Sequence, residues 1–417
     1  MVTWMKSIEI RRGQESESFR IPADTPVLLP THGVTPGLDA DSCISNALSQ
    51  LPHVPTRPLI VVPDRTRNAH LSFWLPRIWR AFHRQETEPT ELNCIFASGT
   101  HEPMSMKEMR NAVSTIDLPL VLHAHDASGP LQHAGTGPDG KPIFLARELF
   151  RSDGVIVLSA MKFHYLAGFG GGRKMIIPGI CDRESARRMH ASSLTNAPPG
   201  RAAGVSSGNL NGNPLHNWIL AALERLQLPP ISGICMVNGP TEPVDAEGGD
   251  LVDHHARLAH RFAASRTVSV GHTLDGVVLS CGGHPYDVDL VQAHKALDAV
   301  APLLRPGAHV AWLAALPRGL GHAAMHEWLT DGNAEEQLMR LLGDFHIGKQ
   351  TAWSLRRHAE NFHIGLLGDF PAPLANAMGI RRLENGKAAW EFVREAGHRI
   401  AIAPLGGELR YQCDAVA

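Results

Sequence analysis

Nine short apolar runs recur along the chain, at residues 59–63, 94–98, 118–122, 155–159, 234–238, 277–281, 309–313, 363–367 and 399–403. Most are continuously aliphatic and β-branched rather than alternating, the pattern of strands covered on both faces. Amphipathic stretches at 215–226, 290–303 and 335–342 fall between them. Strand–helix alternation of this kind predicts parallel α/β architecture, in which ligands sit beyond the carboxyl ends of the strands. At about 150 residues per domain, the 417 residues make two or three domains. The segment 265–275 separates a helical stretch, 251–262, from a fresh strand, so two domains are expected at 1–268 and 269–417. The last residues are free to pack back onto the first domain. Residues 131–141 contain the Asp-Gly turn of a hairpin, and 196–213 is a long Gly/Pro/Asn/Ser loop.

Several classes are excluded by what the chain lacks. Its net charge of −2 at pH 7 is not the basic surface of a nucleic-acid binder. No apolar run reaches the roughly 18–20 residues that span a bilayer, and the N-terminus has no secretory h-region. The six cysteines are dispersed with no CxxC pair, against a disulfide framework or a cysteine-ligated zinc. A cytoplasmic protein with reduced thiols is expected, with no nucleic-acid or membrane partner. The 24 histidines become informative only where chemistry can use them.

Four polar clusters follow or neighbour the predicted strands. In PDRTRNAH, Arg67 suits carboxylate or phosphate recognition, while Asp64 or Thr66 equally suits a helix N-cap. In SGTHEPMS, His101 is a candidate general base or a plain turn residue, and Ser105 can cap the next helix. The run SAMKFHYLAGFGGGRKMIIPG packs His164, Gly168, Gly170, Gly171, Gly172, Arg173 and Lys174 into eleven residues. Its glycines allow a row of exposed N–H groups facing a phosphate, or only a turn. It is not a P-loop, since Met175 follows Lys174. In DRESARRMHASSL, His190 lies near the end of a predicted helix. Farther on, Gln292 and Lys295 share one helix face just beyond a strand.

These clusters resemble, in their order, the nickel-dependent lactate racemase family, over residues 15 to about 400. The specific matches are D-x-T-R, G-T-H-x-P-M and H-Y-x-A-G-F-x-G-G-R-K-x-x-x-P-G-I, followed by a His sixteen residues past the Lys. The resemblance implies a 2-hydroxyacid racemase or epimerase with two α/β domains and the site in the cleft between them. It implies a cofactor, the nickel-pincer nucleotide (nickel pyridinium-3,5-bisthiocarboxylic acid mononucleotide), tethered to Lys174, beside Gly170, Gly171, Gly172 and Arg173. Nickel would be ligated by His190, and cofactor-biosynthesis proteins would load the group. His101 and His164 become the two catalytic bases. Asp64, Arg67, Gln292 and Lys295 become substrate-binding, and the C2 hydride passes reversibly to the cofactor. The chain departs from the lactate pattern at Val291, where that family has a tyrosine, and at His284. The pocket tryptophan corresponds to Lys349 or Trp353, Lys349 aligning better. A hydroxy acid larger or more polar than lactate is therefore expected. Two other readings remain: a nucleotide- or phosphosugar-binding protein using the Gly-rich loop without nickel, and a zinc hydrolase using His101, His164 or His190.

Overall fold

The computed structural model describes residues 5–30, 37–83 and 89–414; the ends of the two expected domains, 1–4 and 415–417, lie outside them. The chain forms two compact units. One comprises Val34–Ser193 and Arg201–Ala264, the other Met1–Gly33, Leu194–Gly200 and Ser265–Ala417.

The first unit is built on a six-stranded sheet. Its strand order is Pro243–Asp250, Ile231–Asn238, Gly154–Ala160, Pro58–Pro63, Leu92–Ala97, Leu120–Ala124. All neighbours are parallel except the edge strand Pro243–Asp250. The apolar runs explain the layering, because successive side chains in a strand point to opposite faces. Leu59, Val61, Ile95, Val155 and Val157 enter one core. Ile60, Val62, Cys94, Phe96, Ile156 and Leu158 enter the other. Burying each such side chain contributes about 1.5–3 kcal/mol, so the pattern favours a sheet with helices on both sides.

The second unit carries an all-parallel five-stranded sheet in the order Arg381–Arg382, His363–Leu367, Leu304–Leu313, Leu274–Ser280, Ile400–Ala403. The same alternation sends Val277, Leu279, Val310 and Trp312 into one core and Val278, Ala311 and Leu313 into another.

The expected boundary near residue 268 needs correction at the N-terminus. Met5–Arg12 and Glu15–Pro22 form an antiparallel hairpin. Its Ile10, Phe19 and Ile21 pack with Val278, Leu313, Ile402 and Trp390, covering one face of the second sheet. The first 33 residues therefore group with the C-terminal segment. The last residues also stay there: Arg410–Cys413 pairs in parallel with Thr267–Val270.

The nine apolar runs all lie in or across strands. The third is displaced, to Leu120–Ala124, because Pro119 has no N–H to give a ladder. The Asp-Gly hairpin forms, between Leu131–Thr136 and Pro142–Ala146. Within the long loop, Asn213 caps the helix Pro214–Leu223 and is fully buried. Its side-chain amide donates to the carbonyl of Leu166 at 2.8 Å, tying that helix to the Gly-rich segment. No helix among the described residues is long and apolar enough to cross a membrane.

Candidate active site

Three adjacent parallel strands of the first unit, Gly154–Ala160, Pro58–Pro63 and Leu92–Ala97, end on one sheet edge. Each delivers a cluster there: residues 161–175 after the first, Asp64–Arg67 after the second, Ser98–His101 after the third. The loops are stitched together by Gly99 N–H donating to the carbonyl of Gly179 at 2.9 Å.

Asp64 does not cap a helix. Its Oδ1 accepts from the backbone N–H of Thr66 at 3.1 Å and the Thr66 hydroxyl at 2.6 Å. Its Oδ2 accepts from His101 Nδ1 at 2.9 Å. Asp64 is buried, and burial alone would raise its pKa. The His101 and Thr66 hydrogen bonds and the Arg67 charge outweigh burial and hold the carboxyl below its ordinary value. With an ionised carboxylate on Nδ1–H, the exposed His101 ring keeps its lone pair on Nε2, the arrangement of a general base. Ser105 caps the next helix, Met106–Ala112, in a capping box with Glu108, which anchors the turn carrying His101.

His164 is wired in the opposite sense. Its Nδ1 accepts from the backbone N–H groups of Leu166 at 3.2 Å and Ala167 at 3.1 Å. That leaves the proton of the neutral ring on Nε2. In this conformation His164 offers a proton where His101 offers a lone pair, so the two histidines are not equivalent bases at rest.

His190 ends the helix Arg183–Ala191, which Asp182 caps. Its Nδ1–H donates to the carbonyl of Ala186 at 2.7 Å, leaving Nε2 as the lone-pair nitrogen. Burial, then the charge of Lys174, push its pKa down to about 4, with a further contribution from His101. A neutral imidazole with one nitrogen oriented by a backbone carbonyl suits a metal ligand. Among the described residues no three His, Cys, Asp or Glu side chains converge on a metal position. The donor set therefore fits a metal whose other ligands come from a bound group, and does not fit a protein-ligated zinc site. Lys174, nearly buried at 6% exposure, lies in the short 3-10 turn Gly172–Met175.

The Gly-rich loop departs from the expected phosphate cradle. Gly170 N–H donates to Lys162 O at 2.8 Å and Lys174 N–H to Gly171 O at 3.2 Å. Gly172 N–H donates to Ser159 Oγ at 2.8 Å. These donors are used within the protein. The glycines serve close packing: a Cβ on Gly171 (φ +80°) would lie 2.9 Å from Ala160 O, and one on Gly172 (φ +52°) 2.6 Å from the His255 ring. A Cβ on Gly170 would lie 3.1 Å from Arg67 Nη1, so that glycine leaves room for the guanidinium. Arg173 turns inward and is fully buried, its guanidinium on Ala167 O and His255. Those inner partners hold it within the fold.

A pocket of about 630 Å³ opens beside Asp64 and Arg67, with Asn68, His70, Met104 and Asn111 in its wall. Its lining includes neither His101 nor Lys174 nor His190; His101 meets it through its hydrogen bond to Asp64. His70, in its wall, has a left-handed backbone at φ 43°, a conformation uncommon outside glycine and often found at functional turns.

Gln292 and Lys295 belong to the second unit. They lie on the helix Leu290–Val300, capped by Asp289, with Lys295 Nζ donating to Gln292 Oε1 at 2.7 Å. Trp353 is buried within the core of the second unit. Lys349 is half-buried with its ammonium 5.3 Å from the centre of the Trp328 ring. Sequence reasoning missed Ser159, Asn213 and His255, which brace the loop. A histidine doublet at the start of a helix, His254–His255, was the one available signal.

The lactate racemase N-terminal domain family matches residues 13–201. The lactate racemase of Thermoanaerobacterium thermosaccharolyticum is 24% identical over 285 residues, 67% of this chain. That of Lactiplantibacillus plantarum is 22% identical over 290 residues, 69% of this chain. The matched segments span 65% and 66% of those racemases' own lengths, just under two thirds. Among solved structures, the lactate racemase apoprotein from T. thermosaccharolyticum superimposes with a TM-score of 0.83 at 18% identity, covering 98% of this chain and all of that one. A protein of Thermotoga maritima superimposes with a TM-score of 0.67 at 17% identity, covering 92% of this chain and all of that one. These superpositions show a shared fold. The segment that carries Asp64, His101, Lys174 and His190 lies within residues 13–201, which belong to the lactate racemase N-terminal domain family.

Proposed function

We propose that this protein inverts C2 of a 2-hydroxy acid by reversible hydride transfer, with a nickel-pincer nucleotide tethered to Lys174 and ligated by His190. One observation carries the reading: a carboxylate-oriented base, His101, lies within electrostatic reach of a buried His190 on which the Lys174 charge also bears. The nucleotide, when bound, supplies the hydride acceptor. The proton moves belong to the chain. Arg67 holds the substrate carboxylate, fixing C2 relative to His101. His101 takes the hydroxyl proton on Nε2, and Asp64 stabilises the imidazolium that results. His164 presents its Nε2–H to a substrate oxygen; to serve as a base, its Nδ1 must first be released from the Leu166 and Ala167 amides. Gln292 and Lys295 complete substrate binding from their common helix face. Dedicated biosynthesis proteins load the cofactor.

Val291, His284 and Lys349 favour a substrate larger or more polar than lactate, such as a sugar acid or hydroxy diacid, whose inversion is a racemisation or an epimerisation. The alternative, a phosphate-binding protein without nickel, has less support because the loop donors of Gly170, Gly172 and Lys174 are used internally.

Enantiopure 2-hydroxy acids supplied to protein purified from cells that make the cofactor test the reading. Inversion of at least one larger acid, faster than of lactate, is expected; lactate as the fastest substrate overturns the larger-substrate part. In the same preparation, His190→Ala is expected to lose bound nickel by elemental analysis while Lys174 remains modified. Nickel retained at wild-type stoichiometry would remove His190 from the ligand role.

A further inference from the structure

We infer that His255 is the positioning residue of the Lys174 loop: one buried imidazole clamps Gly170, Gly172 and Arg173 and thereby presents Lys174 for covalent attachment. The inference rests on the proposed role of Lys174 but on a different observation, the packing behind the loop.

His255 lies on the helix Asp253–Arg266 and is 1% exposed. Its Nε2 is 3.0 Å from the carbonyl oxygen of Gly170. Arg173 Nη1 is 3.2 Å from its Nδ1. Nη1 also lies 3.4 Å from Nε2, so the guanidinium sits against both ring nitrogens; with Nε2–H donating to Gly170, the nearer nitrogen, Nδ1, carries the lone pair that can accept from Arg173. The other tautomer would set a lone pair against the Gly170 carbonyl. The ring also lies on the backbone of Gly172, where a Cβ would come within 2.6–2.8 Å of its atoms. Phe169 meets it edge-on, with ring centroids 6.5 Å apart.

The guanidinium completes the clamp. Arg173 Nη2 donates to Ala167 O at 3.2 Å, so the guanidinium is held by that carbonyl and the His255 ring. A fully buried cation held by carbonyl and imidazole is costly unless its geometry is fixed. Burial, then the Arg173 charge, keep His255 neutral, as its acceptor role requires. Carbonyl 170, backbone 172 and side chain 173 are all fixed by the same ring, and Lys174 is the next residue. Its ordering is met at folding rather than at attachment, which is the meaning of preorganisation.

Three variants and two readouts test this. Glutamine can copy both hydrogen bonds of the ring, with Nε2–H for Gly170 and Oε1 for Arg173; leucine can copy neither, and asparagine is too short to reach both. The first readout is trypsin cleavage after Arg173 and Lys174 in cofactor-free protein. The second is the fraction of Lys174 that carries an adduct after matched co-expression with the cofactor-making proteins. His255→Leu is expected to be cut at these two sites at least about tenfold faster than wild type, the signature of local opening, and to load less. His255→Gln is expected to restore protection and loading. Should the leucine variant fail to fold, His255→Asn is expected to show the same local loosening. Wild-type protection in the Leu or Asn variant, or no rescue by Gln, overturns the inference. Loosening and Gln rescue of protection in a protein whose wild-type Lys174 never carries an adduct would keep His255 as the loop clamp and overturn only the cofactor reading.

Discussion

Replacing His101 with alanine is expected to lower inversion by about 10²–10⁴-fold, the ordinary contribution of a general base. The loss falls equally on both directions for a pair of enantiomers, because their equilibrium constant is fixed at unity. His164→Gln is expected to cost far less, about tenfold or under, because glutamine keeps a neutral N–H donor worth about 1 kcal/mol. The asymmetry follows from the two wirings. His101 has a buried carboxylate on Nδ1 and its lone pair on Nε2. His164 has two backbone N–H groups on Nδ1 and its proton on Nε2. Steady-state rates with each enantiomer, at matched nickel content, provide the check. Equal losses in His101→Ala and His164→Gln would mean two interchangeable bases.

The second large effect is on stability. Acidification is expected to destabilise the fold well before its carboxylates titrate. His125 and His294 are buried at 1% and 0% exposure, and burial pushes each pKa down to about 4. His255 is likewise held well below its ordinary value by burial and the Arg173 charge. In the unfolded chain these rings take up protons near their ordinary value of 6.5. The unfolded state therefore binds more protons than the folded one as pH falls, and stability drops with it. Sign and window follow: the contribution is complete above pH 6.5 and is lost progressively down to about pH 4. At about 1.4 kcal/mol per pKa unit, each such ring accounts for up to ~3 kcal/mol. Two or three together are comparable with a total stability of roughly 5–15 kcal/mol. Urea midpoints between pH 7 and 4 read this directly. A midpoint that holds steady until the carboxylate range would contradict it. The many histidines of the chain thus include structural members whose signature is acid lability.

Much of the fold was legible because it rests on local pattern. Residues 59–63 and 155–159 are continuous aliphatic runs, and each occupies a strand with both faces covered. The hairpin Met5–Pro22 was not legible. Its strands are mostly polar, with only Ile10, Phe19 and Ile21 buried, and its partner surface lies more than 250 residues away in sequence. Long-range packing of that kind leaves no local signal. In the site, Asp64, His101, Lys174 and His190 were legible as motif residues following strands or on a predicted helix. Their protonation pattern was not. It depends on which backbone groups meet each ring, as the contrast between His101 and His164 shows. The glycines misled in a physically specific way. Glycine marks close approach, but here the approaching groups are Arg67, Ala160 O and His255 rather than a phosphate.

The proposed chemistry depends above all on Lys174 carrying the catalytic group. Mass spectrometry of the Lys174 peptide tests it most directly, on protein purified from cells that make the pincer nucleotide, beside a racemase known to load it. A sulfur-containing nucleotide adduct on Lys174 is the expected result. Unmodified Lys174 beside a loaded control would contradict it.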